Sequence, residues 1–121
     1  MAKQSAAGVL VEPRFRIRYG RRLAFGPGKA GLLEHIERTG SITEAAKAMG
    51  MSYMRAWTLV KSMDQGQPEP LVRTARGGRA RGGAGLTKTG REVLRLYREM
   101  ETRATEATRE VRSRLGKLLA P

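Results

Sequence analysis

Apolar residues recur every three or four positions on both sides of Gly50, which is the spacing of one helix face. The face before the glycine consists of Ala45, Ala46 and Met49. The face after it consists of Ala56, Leu59, Val60 and Met63. The pattern predicts two short helices, and the small alanine side chains would allow these helices to cross closely.

Polar residues and a glycine mark the ends of these two helices. Ser41 followed by Glu44 is a capping-box signature, so the first helix should begin at Ile42. Gly50 suits a left-handed turn without steric penalty, and Ser52 should cap the second helix. Such a pair is typical of a helix-turn-helix, whose second helix enters the DNA major groove. An ordinary corner between two helices is the alternative.

Alternating apolar and arginine positions precede the helices. Over residues 13–26 the apolar side chains alternate with Arg14, Arg16 and Arg18, and Gly20 marks a turn. This pattern predicts a β-hairpin with one half-buried face and one basic face. The arginines could contact phosphate, or they could form a solvated edge that blocks aggregation.

A third helix and a glycine-rich segment flank the helix-turn-helix. The helix should extend from about Gly28 to Arg38 and complete a three-helix core. After Met63, residues 70–74 predict a short strand, and residues 86–87 predict a second strand or its end. The intervening residues 76–85 read R-G-G-R-A-R-G-G-A-G. A basic two-stranded hairpin after a helix-turn-helix is typical of a winged helix.

The glycine-rich stretch would place arginines at the tip of the wing. Glycines allow the backbone to approach a phosphate closely, and arginine recognises a narrow minor groove by its charge. We therefore expect DNA contacts from Arg76, Arg79 and Arg81. The alternative is a flexible RGG-like tail that binds RNA without sequence preference.

The last third of the chain contains a heptad-like seam. Thr87 should cap a helix from about Lys88 towards Leu118, with charges of both signs on its other faces. The seam consists of Val93, Tyr97, Met100, Ala104, Ala107, Val111, Leu115 and Leu118. So long a helix cannot be buried on so small a domain, so we expect it to pair with a second chain about a two-fold axis. Alternatively, it packs back on its own domain between Val93 and Met100 and frays beyond.

The exposed side of the second helix of the motif supplies the candidate base contacts, because the N-terminal part of such a helix usually contacts base edges. The expected DNA contacts are Ser52, Tyr53, Met54, Arg55 and Thr58, with Lys61 on phosphate. Arg55 suits guanine, since its guanidinium matches O6 and N7, and a phosphate contact alone is the alternative. Tyr53 and Trp57 could stack, and Ser41 could donate to a phosphate from a helix start.

The charge balance favours a nucleic-acid partner and disfavours an enzyme. The 121 residues include 24 Lys and Arg against 11 Asp and Glu, a formal charge of +13. With one histidine, His35, no cysteine and no convergent carboxylate pair, we expect neither catalysis nor a metal or cofactor site. No apolar run is long enough for a bilayer and no signal peptide is visible, so we expect a cytoplasmic protein without a membrane partner.

Two strings in the sequence resemble a known family. G-M-S-Y-M-R-A-W at residues 50–57 and G-G-A-G-L-T-K-T-G-R at residues 82–91 resemble the N-terminal DNA-binding domain of the ModE family of molybdate-responsive regulators. The chain is more distantly similar to the LysR-type winged helix. The resemblance spans roughly residues 20–101 and implies a dimeric transcription regulator with a long C-terminal helix as linker and dimer contact.

Full-length members of that family continue into small β-barrel domains that bind molybdate between subunits, and residues 1–121 leave none for such domains. The resemblance therefore implies a stand-alone DNA-binding version, a version that takes its signal from a separate partner, or a fragment.

These inferences together predict a mainly α fold with a small β part. Residues 1–12 would form a disordered leader, residues 13–87 a winged helix-turn-helix, and residues 88–121 a dimerisation helix. The expected function is regulation of transcription by a homodimer that binds double-stranded DNA sequence-specifically. A non-specific architectural DNA-binding protein and a small RNA-binding protein are the alternatives.

Overall fold

Nine helices and strands account for most of the residues that the computed structural model describes, which are 10–65, 68–74 and 83–119. In chain order they are β1 (Ile17–Tyr19), β2 (Arg22–Phe25), α1 (Pro27–Thr39), α2 (Ile42–Ala48), α3 (Tyr53–Gln65), β3 (Val72–Thr74), β4 (Ala84–Leu86), α4 (Lys88–Ala107) and α5 (Arg109–Leu119). The strands form two antiparallel pairs, β1 with β2 and β3 with β4. This order confirms the expected winged helix-turn-helix, mainly α with a small β part.

The core lies between α1, α2 and α3. Helix α1 begins at Pro27 and ends at Thr39, and Gly40 caps it with φ 74° and donates its N–H to Ile36 O at 2.8 Å. Leu32, Leu33 and Ile36 on one side of α1 are fully excluded from solvent. The large apolar side chains of α1 therefore fill the space that the small residues of α2 and α3 leave.

The N-terminal hairpin differs from its expected burial. Ile17 and Tyr19 of β1 are 43% and 55% exposed, whereas Ala24 and Phe25 at the end of β2 are each 3% exposed. The expectation of a half-buried β1 face is therefore wrong at Ile17 and Tyr19. The physical reason is that β2, not β1, packs against α1 and α3.

The wing is joined to the start of α2 as well as to itself. Strands β3 and β4 pair from Val72 opposite Leu86 to Thr74 opposite Ala84. On its other side, Ala84 N donates to Gly40 O at 2.9 Å, and an isolated bridge joins Ser41 to Gly83. The base of the wing is thus fixed to the turn that precedes α2. Residues 75–82, at its tip, lie outside the described part of the chain.

The start of α4 is anchored to the strand before it. Thr87 caps the helix as predicted, because its Oγ1 accepts from Gly90 N at 2.9 Å and also donates to Pro70 O at 2.8 Å. Leu71 O accepts from Thr87 N at 3.0 Å. A Cβ atom on Gly90 would lie 2.9 Å from the Leu71 carbonyl carbon and closer still to its oxygen. Only glycine therefore allows this close approach of helix and strand.

The long C-terminal helix is interrupted, which corrects the expectation of one helix from Lys88 to Leu118. Thr108 separates α4 from α5, although its backbone bonds to Ala104 O and from Arg112 N continue the helical pattern. The Thr108 hydroxyl donates to Ala104 O at 2.6 Å, and Arg112 donates to Thr105 O at 2.7 Å. Side chains thus compete for helix carbonyls at this point, which is a known cause of helix distortion.

The chain divides into two compact units, and the division falls inside α4. One unit is Arg16–Tyr97, and the other takes in the residues before Arg16 and after Tyr97. Of the predicted leader, residues 1–9 lie outside the described part. None of the helices among the described residues is both long enough and apolar enough to cross a membrane.

Candidate nucleic-acid interface

Helix α3 is set in place by hydrogen bonds at its start. Ser52 caps it as predicted, because Ser52 Oγ accepts from Arg55 N at 3.1 Å. The preceding turn has Gly50 at φ 69°, and Met51 N donates to Ala46 O at 3.0 Å. The predicted left-handed glycine is therefore present, and it directs the chain from α2 into α3.

The buried side of α3 contains the apolar residues that the periodicity placed there. Ala56 and Met63 are fully buried and Val60 is 2% exposed, while Leu59 is only half-buried. The facing alanines of α2, Ala45 and Ala46, are 0% and 2% exposed. Small side chains on both helices thus allow the close α2–α3 packing that orients the opposite side of α3 outward.

The predicted base-contacting residues all lie on the exposed side of α3 or at its start. Tyr53 and Met54 are 48% and 64% exposed, so one aromatic and one thioether side chain lie at the surface here. The remaining exposed members of this predicted set are Ser52, Arg55, Thr58 and Lys61. We call these six residues the α3 outer face. Their contact with DNA stays a prediction.

Two aromatic rings and a lysine lie along one flank of α3. The Tyr53 and Trp57 rings stack, with centroids 6.4 Å apart and planes 12° from parallel, which confirms the stacking considered from their spacing. Lys61 Nζ lies 5.0 Å from the centroid of the Trp57 ring, within the range of a cation–π contact. This contact restricts the Lys61 ammonium to one side of the helix.

Ser41 has a structural role at the start of α2 in addition to its predicted one. Its Oγ accepts from Glu44 N at 3.1 Å, as expected of the cap. Its own N–H donates to Thr39 Oγ1 at 3.3 Å, and the Glu44 carboxylate lies 3.6 Å from Lys47 Nζ. The described contacts therefore form one half of the predicted capping box. A hydroxyl that accepts a bond still has its own proton, which suits donation to phosphate.

The wing residues predicted to contact DNA, Arg76, Arg79 and Arg81, lie outside the described residues. The described base of the wing adds Arg73, which is exposed on β3 and was not among the expected contacts. Its Nη2 lies 3.5 Å from the position of a Cβ on Gly85, its cross-strand partner. The sequence signal was the absence of acidic residues from 70 to 91, which includes Arg73.

The cations of α3 differ from those of the C-terminal helices in their partners. On α4 and α5, arginines pair with glutamates three or four residues away, including Arg95–Glu92 at 2.6 Å and Arg103–Glu99 at 2.6 Å. Arg95 also lowers the pKa of the Glu92 carboxyl by hydrogen bonding and by charge. Among the described residues, no carboxylate pairs with Arg55 or Lys61. Their positive charge is therefore available to an external anion.

The predicted dimerisation seam is exposed over its C-terminal half, from Ala107 onwards, and one of its members is a correction. Tyr97 is 3% exposed, and its ring meets Phe25 edge-on with centroids 5.2 Å apart. Tyr97 therefore belongs to the core of its own chain. This agrees, at this position, with the alternative that the helix packs back on its own domain. Leu96, beside it, is 50% exposed.

The rest of the seam is more exposed towards its end. Val93, Met100 and Ala104 are half-buried, and Ala107 is exposed. Val111, Leu115 and Leu118 are 62%, 44% and 82% exposed. Pairing of these residues with a second chain stays a prediction.

Among the described residues, no three His, Cys, Asp or Glu side chains lie close enough together to hold a metal ion.

Lys29 is the described cation with the greatest burial, at 9% exposure. Its Nζ donates to Leu23 O and to Ala24 O, each at 3.2 Å. Burial, and secondarily the nearby Arg22, lower the pKa of Lys29. Lys29 thus joins α1 to β2 and is not part of the candidate interface.

Known proteins similar in sequence are ModE proteins and a related molybdenum-pterin-binding protein. The molybdenum transport protein ModE of Azotobacter vinelandii is 42% identical over 87 residues, which cover 72% of this chain and 32% of that protein. The DNA-binding transcriptional dual regulator ModE of Escherichia coli K12 is 40% identical over 77 residues, 64% of this chain and 29% of that protein. The molybdenum-pterin-binding protein MopB of Rhodobacter capsulatus is 41% identical over 96 residues, 79% of this chain and 33% of that protein.

This chain spans about a third of the length of these relatives. No protein-family model matches it. The names of the three relatives describe a transport protein, a regulator and a binding protein, in agreement with the expectation that the chain is not an enzyme.

Solved structures with a similar fold include an isolated DNA-binding domain and a full-length LysR-type regulator. The DNA-binding domain of CbnR, solved in complex with DNA, superposes with a TM-score of 0.55 at 17% identity, over 69% of this chain and 94% of that one. Full-length LysG of Corynebacterium glutamicum superposes with a TM-score of 0.57 at 22% identity, over 75% of this chain and 30% of that one. At these identities the likeness shows a shared fold.

Proposed function

We propose, from the premise that this chain contains a ModE-like winged helix-turn-helix domain, that it binds double-stranded DNA and regulates transcription. Helix α3 would enter the major groove and recognise base edges there. The Escherichia coli relative is named as a DNA-binding regulator, and the CbnR domain of the same fold was solved on DNA.

The observation that supports this function best is the α3 outer face. Arg55 and Lys61 are exposed and have no described carboxylate partner, and Tyr53 and Met54 expose aromatic and apolar surface beside them. A face that only solubilised the protein would have little use for exposed aromatic and thioether groups. Guanidinium, hydroxyl and thioether groups together can distinguish base pairs, because each base presents a different edge in the major groove.

The wing would make the second contact of the same domain. We infer that Arg76, Arg79 and Arg81 bind the minor groove or the phosphates, since arginine is attracted to the negative potential of a narrow groove. The pairing of Ala84 with Gly40 supports this, because it fixes the base of the wing to the same turn that starts α2. Ser41, at that start, would donate to a phosphate.

The predicted seam would join two copies of the chain. Val93, Met100, Ala104, Ala107, Val111, Leu115 and Leu118 would form a two-fold interface between C-terminal helices. A two-fold dimer binds half-sites about one helical turn apart, or a multiple of it. The controlling signal would come from a separate partner in a version of the protein that consists of this domain, and the protein would act on DNA in the cytoplasm.

Selection of bound duplexes from a random DNA pool tests this function. We expect a palindromic consensus from the unchanged chain. Arg55→Ala should weaken binding to that consensus by about 1–3 kcal/mol and relax the preference at one position of each half-site. Arg38→Ala is the matched control, since it removes the same charge from an exposed position of α1.

Other outcomes would favour other functions. Binding of duplex DNA without enrichment of any sequence in the selected pool would indicate an architectural DNA-binding protein. A preference for single-stranded or A-form RNA would indicate an RNA-binding protein. An equal loss of affinity on all sequences for Arg55→Ala would make Arg55 a phosphate contact only.

A further inference from the structure

The β1–β2 ribbon exposes an unusual combination of side chains. Its guanidinium groups are exposed at Arg16, Arg18, Arg21 and Arg22. Its apolar side chains are exposed as well, at 43% for Ile17, 55% for Tyr19 and 38% for Leu23. A two-stranded ribbon is marginally stable in water by itself, so a ribbon with this much exposed apolar surface is suited to being covered.

The register distributes both kinds of side chain over the ribbon. Arg18 lies opposite Leu23, and Tyr19 lies opposite Arg22. Directly opposed residues share one face of an antiparallel pair. Each of these two pairs therefore combines a guanidinium group with an apolar or aromatic side chain. An edge that only prevents aggregation would need the charges and not the aromatic and aliphatic surface.

The ribbon is held firmly at one end. The buried Phe25 packs edge-on against Tyr97, and Lys29 Nζ bonds the carbonyls of Leu23 and Ala24 at 3.2 Å. Strand β2 also contacts α3. The exposed arginines therefore project from an element fixed to the same compact unit as the α3 outer face.

Charge decides which occupant fits this surface. No acidic residue occurs from Pro13 to Leu33, and the whole chain has a formal charge of +13. A second copy would bring like-charged ribbons together, which is unfavourable. Guanidinium groups bind phosphate oxygens in bidentate geometry, and a duplex that is already bound presents phosphates at high local concentration.

We propose that the β1–β2 ribbon is an additional DNA contact, which binds the phosphate backbone beside the base pairs that α3 recognises. This inference rests on the proposed function and extends its DNA-binding surface. Arg16, just before β1, and Arg18, on β1, supply the phosphate contacts. The contact adds affinity and no base preference.

The test compares the salt dependence of binding for three chains on the selected consensus duplex. The first is the unchanged chain, the second is Arg16→Gln with Arg18→Gln, and the third is Arg114→Gln with Lys117→Gln. The third is the matched control, because it also removes two exposed cations, from α5. Unfolding midpoints and oligomeric state are measured for all three, and each is tested on a long duplex and on one trimmed to the consensus.

For the ribbon variant we expect the slope of log K against log salt to be smaller by about 1.8, which corresponds to two phosphate contacts. The ratio of the affinity of the unchanged chain to that of the ribbon variant should then fall roughly tenfold between 50 and 200 mM salt. The ribbon variant should lose more affinity on the long duplex than on the trimmed one. The consensus that it selects should be that of the unchanged chain. The α5 control should keep the slope of the unchanged chain.

A ribbon variant with the same slope as the α5 control would overturn the proposal. If Arg55→Ala still relaxes base preference in that case, the proposed function survives without the ribbon contact. Failure of the unchanged chain to bind duplex DNA at all would overturn both.

Discussion

The three-helix core and the C-terminal helices use the same apolar residue types at similar spacing, yet they bury them very differently. Leu32, Leu33 and Ile36 of α1 are fully excluded from solvent. On α5, Leu115 and Leu118 are 44% and 82% exposed. An apolar stripe on a helix is thus buried only where a second surface covers it. The core supplies that surface within the chain, and α5 does not.

The two regions also differ in what stabilises their helices. In the core, tertiary burial of apolar area does so, at about 25 cal/mol for each Å² removed from water. On the C-terminal helices, the described stabilising contacts include local ion pairs such as Arg98–Glu101 at 2.9 Å and Arg109–Glu106. Helical pairs three or four residues apart contribute only about 0.2–0.5 kcal/mol each. We therefore expect the core to withstand conditions that unfold α5.

Replacing one leucine in each region tests this contrast most strongly. Leu33→Ala should lower the free energy of unfolding by about 2–5 kcal/mol, because it leaves a cavity in a fully buried site. Leu115→Ala should change the unfolding of a dilute, unassociated chain by less than about 0.5 kcal/mol. Urea unfolding followed by circular dichroism measures both values, and similar losses would refute the contrast.

A glycine substitution tests whether the start of α4 belongs to the core region. Gly90→Ala should destabilise the Arg16–Tyr97 unit by about 1–3 kcal/mol, since the new methyl group would collide with the Leu71 carbonyl. The usual gain from placing alanine in a helix, about 1 kcal/mol, offsets only part of this. Gly28→Ala in α1 is the control, because no atom lies within 4 Å of the added Cβ. Equal unfolding midpoints for the two variants would show that α4 moves freely against β3.

The smallest expected effect concerns self-association through the exposed seam. Leu118→Ala should raise the dimer dissociation constant about tenfold, which is about 1.4 kcal/mol, if that side chain is buried between two chains. Ser113→Ala, at another exposed position of α5, should leave it unchanged. Sedimentation equilibrium over a range of concentrations measures both constants. A chain that stays monomeric at every concentration would leave the seam without its proposed partner.

The helix-turn-helix could be predicted almost residue by residue, because its signals are local. Ser41 and Ser52 accept hydrogen bonds from N–H groups three residues later, and Gly50 adopts the left-handed conformation. Each of these depends on a few neighbouring residues and on steric rules that hold in any protein. The outward position of Met54 and Arg55 followed from helical periodicity in the same way.

Other features could not be derived from local signals. The burial of Tyr97 depends on Phe25, far away in the sequence, and the exposure of Tyr19 depends on where the ribbon passes the edge of the core. The pairing of Ala84 with Gly40 joins segments that show no mutual signal. Even the interruption at Thr108 required two side chains to compete for backbone carbonyls, which periodicity does not report.

By itself, the sequence determined which segments are helical or extended, where α2 and α3 begin, and which side of α3 is apolar. Those properties follow from backbone sterics, from capping and from residue spacing, which act over a few residues. Only the tertiary structure decided which apolar faces are covered, because burial depends on whether a second surface lies opposite. The same heptad spacing was therefore compatible with a buried Tyr97 and an exposed Leu118, and contacts between distant residues separated the two.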